Sequence, residues 1–312
     1  MKRDLLSLAD ITAAEIKHLL SLAGKLKQRQ KSGKASRPLD GKTLALLFHK
    51  PSLRTRASFE VGMVQLGGYP TYLQNQDIKI GDREPIKDVA RVLSRYYDGM
   101  VIRTFDHEAI VELAQAATIP VINGLTDLLH PCQILAALQT LQEHFNRLHD
   151  LHITYVGDGN NVANSWLLGA AQMGLALTIA CPKLYQPNLD ILHQAQQIAK
   201  TTGAVLEIVD DPMQAVKNAD ALYTDVWVSM GQEDEAAARR EIFRPYQINA
   251  SLLEEAPGHA VVMHCLPAHR GEEITEDILE SPRSLVFDEA ENRMHAQKAL
   301  LTFLLAPEGE QL

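Results

Sequence analysis

Apolar residues follow two alternating patterns along the chain. Short runs in which nearly every residue is apolar, such as 43–48 and 152–156, are typical of strands buried on both faces of a parallel sheet. Longer stretches carry apolar residues three and four positions apart, and the first opens at Thr12, whose spacing to Glu15 is that of a helix capping box. Strands that alternate with helices predict an α/β protein with parallel sheets flanked by helices.

The pattern predicts these elements in chain order. The strands are 43–48, 71–73, 100–103, 120–122, 152–156, 175–181, 205–209, 221–224, 260–263 and 284–287. The first predicted helix is 12–31, and a second follows the first strand and ends at Gly67. The others are 85–97, 106–117, 131–147, 162–173, 188–202, a short helix from Pro212 and a last helix from 289. A polar loop is expected at 74–84, and an irregular polar loop between 224 and 260. The polar stretch 146–151 is the best candidate boundary between two domains, which a length of 312 residues also suggests.

Composition excludes several classes of protein. The net charge of -9 and the absence of a basic run longer than Arg239-Arg240 argue against nucleic acid as a partner. Three cysteines without a Cys-x-x-Cys pair, Cys132, Cys181 and Cys265, indicate neither a disulfide framework nor a zinc knuckle. No apolar stretch approaches the ~20 residues of a membrane span, so we expect a cytoplasmic enzyme with no membrane partner.

The segment 52–56, Ser-Leu-Arg-Thr-Arg, is the strongest chemical signal. It follows the apolar strand 43–48, and Ser52 stands where a helix N-cap would stand. Free N–H groups and the positive end of the helix dipole would point at a ligand there, and the arginines add charge and forked donors. Ser52 could instead be an ordinary cap and the arginines could face water. The segment predicts a phosphate site.

Polar clusters also follow other predicted strands. They are Arg103, the segment 130–133, the segment 157–161, the segment 225–233 and the segment 264–267. Ligands of open parallel sheets bind beyond the carboxyl ends of the strands, so clusters at these ends predict an active site. Each alone has a structural explanation, since His130 could cap a helix and a buried cysteine is usually a small core residue.

Two other function classes deserve comparison. Gly157-Asp158-Gly159 after a strand invites a dinucleotide interpretation and hence an NAD-dependent oxidoreductase, but Val162 replaces the third glycine and the next strand ends without an acidic residue. A noncatalytic binding relative on the same fold is the other alternative.

Five segments together resemble the carbamoyltransferase family. They are 52–56, 130–133 (His-Pro-Cys-Gln), 225–231 (Asp-Val-Trp-Val-Ser-Met-Gly), 264–267 (His-Cys-Leu-Pro) and 289–293 (Glu-Ala-Glu-Asn-Arg). The Ser-Met-Gly and His-Cys-Leu-Pro segments resemble the ornithine-using members. The resemblance implies transfer of the carbamoyl group of carbamoyl phosphate to the side-chain amine of L-ornithine, in arginine biosynthesis or catabolism, with no metal or cofactor.

The resemblance also implies an architecture. A carbamoyl phosphate domain at 1–147, with the C-terminal helix (about 289–312) packing back on it, would be joined by interdomain helices to an ornithine domain at 148–288. The chain would form a homotrimer, or a multiple of trimers, with active sites between subunits.

Carried over residue by residue, the resemblance assigns a role to each member of the site. Carbamoyl phosphate would be bound by Ser52, Leu53, Arg54, Thr55, Lys79, Arg103, His130, Gln133, Cys265, Leu266 and Arg293. Ornithine would be bound by Asn161, Asp225, Ser229 and Met230. The catalytic group would be Arg54, Arg103, His130, Asp225 and Cys265. The family usually has Thr at position 53, where the contact is through the backbone, and bacterial relatives often carry Gln where this chain has Lys79.

The acceptor can also be argued from charge. The segment 225–235 contains no basic residue and carries Asp225, Glu233, Asp234 and Glu235. An acceptor with two carboxylates, such as aspartate, would be repelled there, whereas cationic ornithine fits. N-acetylornithine, N-succinylornithine and putrescine remain alternatives, because one sequence does not give the volume of the acceptor pocket.

Overall fold

The computed structural model describes residues 2–34, 36–74 and 84–307, and the chain divides into two compact units. The first unit comprises Met1–Gln139 with Glu291–Leu312, and the second comprises Thr140–Ala290. Helix Pro131–Phe145 carries the chain from the first unit into the second, and helix Val286–Leu305 carries it back.

The first unit is built on a parallel sheet with the strand order β2-β1-β3-β4. Its strands are β1 (Thr43–Phe48), β2 (Tyr69–Gln74), β3 (Gly99–Arg103) and β4 (Val121–Leu125). Its helices are α1 (Ala13–Lys31), α2 (Leu53–Gln65), α3 (Ile86–Leu93), α4 (His107–Ala116) and α5 (Pro131–Phe145). The successors of β1 lie on opposite sides of it, β2 on one side and β3 on the other. The carboxyl ends of β1 and β3 therefore form a switch point, the usual position of a ligand site in an open α/β sheet.

The second unit repeats this arrangement with the strand order β7-β6-β5-β8-β9, again all parallel. Its strands are β5 (His152–Val156), β6 (Ala176–Ala180), β7 (Val205–Val209), β8 (Ala221–Thr224) and β9 (Val261–His264). Its helices are α6 (Asn161–Met173), α7 (Leu189–Thr202), α8 (Pro212–Ala215), α9 (Ala236–Phe243), α10 (Ala250–Glu255), α11 (Glu276–Leu279) and the start of α12 (Val286–Leu305). Its switch point lies between β5 and β8.

The predicted α/β fold with two parallel sheets flanked by helices is confirmed. The capping box of Thr12 and Glu15 is also present, with Thr12 N–H donating to Glu15 Oε2 at 2.8 Å. Within the described part of the chain, no helix is both long and apolar enough to cross a membrane.

One predicted strand and one predicted loop were wrong, and several other elements were right in kind but have different ends. The strand predicted at 284–287 is a single bridge between Ser284 and Val262, because α12 begins at Val286 and places Asp288 and Glu289 at the favourable end of its dipole. The loop predicted between 224 and 260 contains α9 and α10. The helix predicted at 85–97 ends at Leu93, and β4 continues through Asn123 to Leu125.

Candidate functional site

The phosphate segment begins helix α2 at the switch point of the first unit. Ser52 is the N-cap, and its hydroxyl accepts a hydrogen bond from Thr55 N–H at 3.2 Å. Leu53 has 78% of its surface exposed, so its side chain contributes no packing and its N–H belongs to the open first turn of the helix. The local geometry is that of an anion site at a helix N-terminus.

Thr55 links this helix to two buried guanidinium groups. Its hydroxyl oxygen accepts from Arg293 Nη2 at 3.0 Å and from Arg103 Nη1 at 3.4 Å. Arg293 also donates through Nη1 to Gln133 Oε1. Four chain segments that the sequence places far apart therefore converge within the first unit. These hydrogen bonds bring two guanidinium groups to one hydroxyl beside the N-terminus of α2, an arrangement suited to a bound anion.

His130 lies buried in the same unit at the start of α5. Burial, and then the positive charges of Arg293 and Arg103, hold the pKa of its imidazole well below the usual value. A neutral imidazole ring can donate a hydrogen bond to a ligand or accept one from it without adding a charge to the site. Its neighbour Cys132 donates through Sγ to the Asn123 carbonyl at 3.4 Å, and burial raises its pKa to about 12, so this thiol is structural.

The two arginines that flank Thr55 have different surroundings. Arg56 pairs with Glu60, Nε to Oε1 at 3.0 Å, and its guanidinium carbon lies 3.7 Å from the ring centroid of Tyr72. These local partners account for Arg56. Arg54 is half-buried in the first turn of α2, beside the capped helix end.

The second unit has its own cluster at the switch point of β5 and β8. Asp225, which follows β8, is buried and accepts at both carboxylate oxygens. Asn160 Nδ2 donates to Oδ2 at 2.8 Å, and Cys265 Sγ donates to Oδ1 at 2.8 Å. Three loops that follow β5, β8 and β9 are thereby joined around one carboxylate.

The segment 225–231 turns away from the sheet after Asp225. Ser229 is half-buried and its N–H donates to Gln232 Oε1 at 3.1 Å, whereas Met230 is 44% exposed. Gly231 has a φ of 96°, which favours glycine and closes the turn. The turn thus presents Ser229 and Met230 at its surface. The predicted site residue Lys79 lies outside the described residues.

Comparisons with known proteins bear on both units. Residues 3–143 match the family model described as "Aspartate/ornithine carbamoyltransferase, carbamoyl-P binding domain", and residues 149–304 match the model for the "Asp/Orn binding domain" of the same family. The chain belongs to the aspartate/ornithine carbamoyltransferase family.

Individual relatives of this carbamoyltransferase family cover nearly the whole chain. A protein from Syntrophus aciditrophicus named ornithine carbamoyltransferase is 53% identical over 305 residues, 98% of this chain and 100% of the relative. One from Pyrococcus furiosus, named as the anabolic enzyme, is 50% identical over 303 residues, 97% of this chain and 96% of the relative. A solved structure of an ornithine carbamoyltransferase from Pyrococcus furiosus has a TM-score of 0.95 at 50% identity and covers 97% of both chains.

The structure of this carbamoyltransferase-family chain adds positioning residues that sequence reasoning missed. Asn160, which precedes the predicted Asn161, donates to the Asp225 carboxylate at 2.8 Å, and it also caps α6 by accepting from Val162 N–H at 2.9 Å. The sequence signal for Asn160 is its place in the polar segment 157–161 that follows β5. Asn161 is half-buried as the first residue of α6.

A buried pair, His264 and Glu273, fixes the backbone at Leu266. His264 Nδ1 accepts from Leu266 N–H at 2.8 Å, so its Nε2 carries the proton and donates to Glu273 Oε1 at 3.0 Å. Leu266 has a φ of 55°. His264 could join Asp225 and Cys265 as a metal ligand by proximity, within 4.8 Å, but both of its nitrogens already hold hydrogen bonds. We therefore interpret this cluster as a hydrogen-bond network.

Proposed function

We propose that the protein transfers the carbamoyl group of carbamoyl phosphate to the side-chain amine of L-ornithine, giving L-citrulline and phosphate. The observation that carries the proposal is the convergence of Arg103 and Arg293 on Thr55 beside the capped end of α2. The names and high identities of the full-length relatives support the same activity.

The donor half of the reaction follows from the first unit. The α2 N-terminus with Ser52, Arg54, Thr55 and Arg103 would bind the phosphate, and the Leu53 N–H would add a backbone donor. His130, Gln133 and Arg293 would surround the carbamoyl group. A neutral His130 can donate to the carbonyl oxygen, and the guanidinium of Arg293 stabilises the negative charge that develops on it.

The chemical step needs no covalent enzyme intermediate. The amine lone pair attacks the carbamoyl carbon and a tetrahedral oxyanion forms. The C–O bond to phosphate then breaks, the nitrogen loses one proton, and the phosphate leaves carrying that proton as hydrogen phosphate. The amine must be neutral to attack, although a free alkylamine is mostly protonated at pH 7 with a pKa of about 10.4. The arginines neutralise the departing phosphate.

The acceptor half is assigned to the second unit. The buried carboxylate of Asp225 would hold the α-ammonium of ornithine, and Asn161 with the turn at Ser229 and Met230 would meet the rest of the amino acid. Cys265 and Leu266 would border the reacting group. We accordingly propose residues 1–147 with 289–312 as the carbamoyl phosphate domain and 148–288 as the ornithine domain.

We also propose a homotrimer, or a multiple of trimers, in the cytoplasm. Apolar side chains exposed on α2 and the edge strand β2 support an interface between copies: Leu53, Val61, Val64 and Tyr69. Light scattering on the purified chain should give three times the monomer mass, or a multiple of it. A monomer at micromolar concentration would contradict this assembly.

A carbamoyltransferase for another amine acceptor is the second candidate, since Met230 is exposed at the acceptor turn and could border a longer ligand. A citrulline assay with carbamoyl phosphate decides between them when ornithine, N-acetylornithine, N-succinylornithine, putrescine and aspartate are compared. Ornithine should have the highest kcat/KM. A higher kcat/KM for an acylated ornithine would make that compound the acceptor. Absence of transfer to every amine tested would refute the proposed carbamoyltransferase activity. The anabolic designation of the Pyrococcus furiosus relative supports a role in arginine biosynthesis rather than catabolism.

A further inference from the structure

Arg239 of helix α9 joins the two loops that surround the acceptor cluster. Its side chain is buried, with 3% of its surface exposed. Nε donates to the backbone carbonyl of Trp227 at 2.6 Å, in the segment 225–231, and Nη2 forms an ion pair with Asp158, in the segment 157–161. One guanidinium therefore connects the loop after β8 to the loop after β5.

Aromatic rings and the loop backbone hold this guanidinium in one orientation. Its central carbon lies 4.7 Å from the ring centroid of Tyr185 and 5.3 Å from that of Phe243. The loop after β5 also packs against Tyr185, because Gly159 N–H donates to the Tyr185 carbonyl at 2.9 Å and a Cβ at Gly159 would lie 2.3 Å from the Pro187 nitrogen. This close packing explains the glycine without a bound dinucleotide.

The contacts of Arg239 lie next to the groups that hold Asp225. Trp227 is two residues after Asp225, and Asp158 is two residues before Asn160, which donates to the Asp225 carboxylate at 2.8 Å. A movement of either loop would change the position of that carboxylate. The planar guanidinium gives Nε and Nη2 to different buried acceptors, and its Nη1 also lies 3.6 Å from Oε2 of the exposed Glu235, so lysine cannot reproduce the geometry.

We propose that Arg239, through Trp227 and Asp158, is a positioning residue that sets the acceptor site for ornithine. This inference rests on the proposed function, because it assigns ornithine to the cluster around Asp225. Arg239 acts on the site through other residues and touches no reacting atom. A purely structural ion pair would instead lower stability without changing the ratio of the two substrates' KM values.

Asp158 makes the connection sensitive to pH. Burial raises the pKa of its carboxyl to about 7, Arg239 opposes that rise, and the negative charges of Asp225 and Glu235 add to it. Tyr155 and Cys181 also face this carboxyl, and both stay neutral because burial raises their pKa values. Below pH 7 Asp158 gains a proton, so its ion pair with Arg239 weakens and ornithine KM should rise as the pH falls.

The test compares Arg239→Met, Arg239→Lys and Asp158→Asn with wild type by steady-state kinetics on the full chain. Arg240→Met is the matched control, since Arg240 is adjacent, about half exposed and paired with Glu272 at 2.9 Å. Arg239→Met should raise ornithine KM roughly tenfold or more, as expected for lost hydrogen bonds to a charged group, with carbamoyl phosphate KM changed by less than about twofold. Arg239→Lys should be intermediate, and Arg240→Met should match wild type.

The pH dependence separates positioning from simple destabilisation. The titration of ornithine itself affects all variants alike, so the informative quantity is the ratio of kcat/KM for ornithine between wild type and Asp158→Asn. We expect this ratio to fall from pH 8 to pH 6, because wild type then loses the charge that the variant lacks throughout.

The possible outcomes separate this inference from the proposed function. A ratio that stays flat, or equal losses for both substrates in folded variants, would overturn the role of Arg239. If Arg239→Met fails to fold, the isosteric Asp158→Asn decides alone. Wild type that forms no citrulline would refute the proposed function, whereas active wild type with unaltered variants would refute only the positioning role.

Discussion

Cys265 donates its thiol proton to Oδ1 of Asp225 across 2.8 Å, within the second unit. The other carboxylate oxygen accepts from Asn160 at the same distance, 2.8 Å. A thiol that serves as a donor to a carboxylate retains its proton, and a thiolate is the nucleophilic form of cysteine. The relationship therefore indicates that Cys265 orients the acceptor site and forms no covalent intermediate.

Cys265→Ser should retain activity with a raised ornithine KM, because a hydroxyl can still donate to Asp225, but the shorter C–O bond places the donor atom further from the carboxylate. Cys265→Ala removes the donor and should raise that KM further. Initial-rate patterns should remain sequential in all three proteins. Ping-pong kinetics, or a carbamoyl-cysteine adduct found by mass spectrometry of the wild type, would refute this interpretation.

Thr55→Val should damage the carbamoyl phosphate site while preserving side-chain shape. The change removes the acceptor shared by Arg103 and Arg293, and each hydrogen bond to a charged group is worth ~1.5 to 3 kcal/mol. We expect kcat/KM for carbamoyl phosphate to fall about 10- to 100-fold or more.

Ser58→Ala is the control for Thr55→Val. Ser58 lies one turn further along α2, where its hydroxyl donates to the Arg54 carbonyl at 2.6 Å. Its loss should leave the kinetics close to those of wild type. Similar losses in both variants would mean that helix α2, and not the Thr55 hydroxyl, is the affected feature.

The fold was predictable because its strands are unusual in composition. The runs 43–48, 152–156 and 221–224 were placed with the bounds that the structure has, since a parallel strand covered on both faces is largely apolar at successive positions. The run 205–209 also has the predicted bounds, although it is a partly exposed edge strand. The strand predicted at 284–287 failed because the same apolar character suits a helix start, and the acidic residues that follow favour the helix dipole.

The roles of Arg239 and Glu273 were harder to predict than the position of the phosphate segment at a helix start. The phosphate segment combines an N-cap with arginines, a pattern that has a local physical meaning. Arg239 and Glu273 carry no such local signal. The partners of Arg239 are Trp227, 12 residues away, and Asp158, 81 residues away. The partner of Glu273 is His264, 9 residues away. Their roles depend on which loops the parallel sheet brings together.

His130 should remain neutral across the working pH range. Burial and the neighbouring guanidinium groups hold the pKa of its ring well below the usual value, so no proton is gained between about pH 6 and 8, where an ordinary histidine with a pKa of about 6.5 would titrate. NMR of selectively labelled histidine should show constant shifts over this range for the His130 ring, identified as the resonance that His130→Gln lacks. A His130 resonance that titrates near pH 6.5 would contradict the prediction.

His295 should make the protein sensitive to acid. Burial lowers the pKa of its ring to about 4 in helix α12, with Glu291 opposing the shift through a 3.3 Å contact. The folded pKa lies below the unfolded value of about 6.5, so the unfolded state binds the extra proton and stability falls as the pH drops from about 6.5 towards 4.

Replacement of His295 isolates this effect. His295→Gln should reduce the loss of unfolding free energy between pH 7 and pH 5, measured by urea denaturation, even if its stability at pH 7 is lower. His18→Gln serves as a control for the general loss of one histidine, because His18 lies in α1 and is exposed. An unchanged pH slope in His295→Gln would show that other groups govern acid sensitivity.

Asp225→Asn should distinguish the two substrates and fix the acceptor assignment. The variant keeps the shape of the side chain but loses the charge proposed to hold the α-ammonium, so ornithine turnover should fall by ~1.5 to 3 kcal/mol or more in kcat/KM, while carbamoyl phosphate binding stays nearly unchanged.

In wild type, kcat/KM for ornithine should rise from about pH 6.5 to about pH 8.5 as more of the attacking amine becomes neutral. Putrescine lacks the α-carboxylate and should be a poor acceptor, and aspartate should be worse because its second carboxylate would meet an acidic segment. Comparable rates with aspartate and ornithine, or a profile that falls over this pH range, would show that the charge of Asp225 does not select the acceptor.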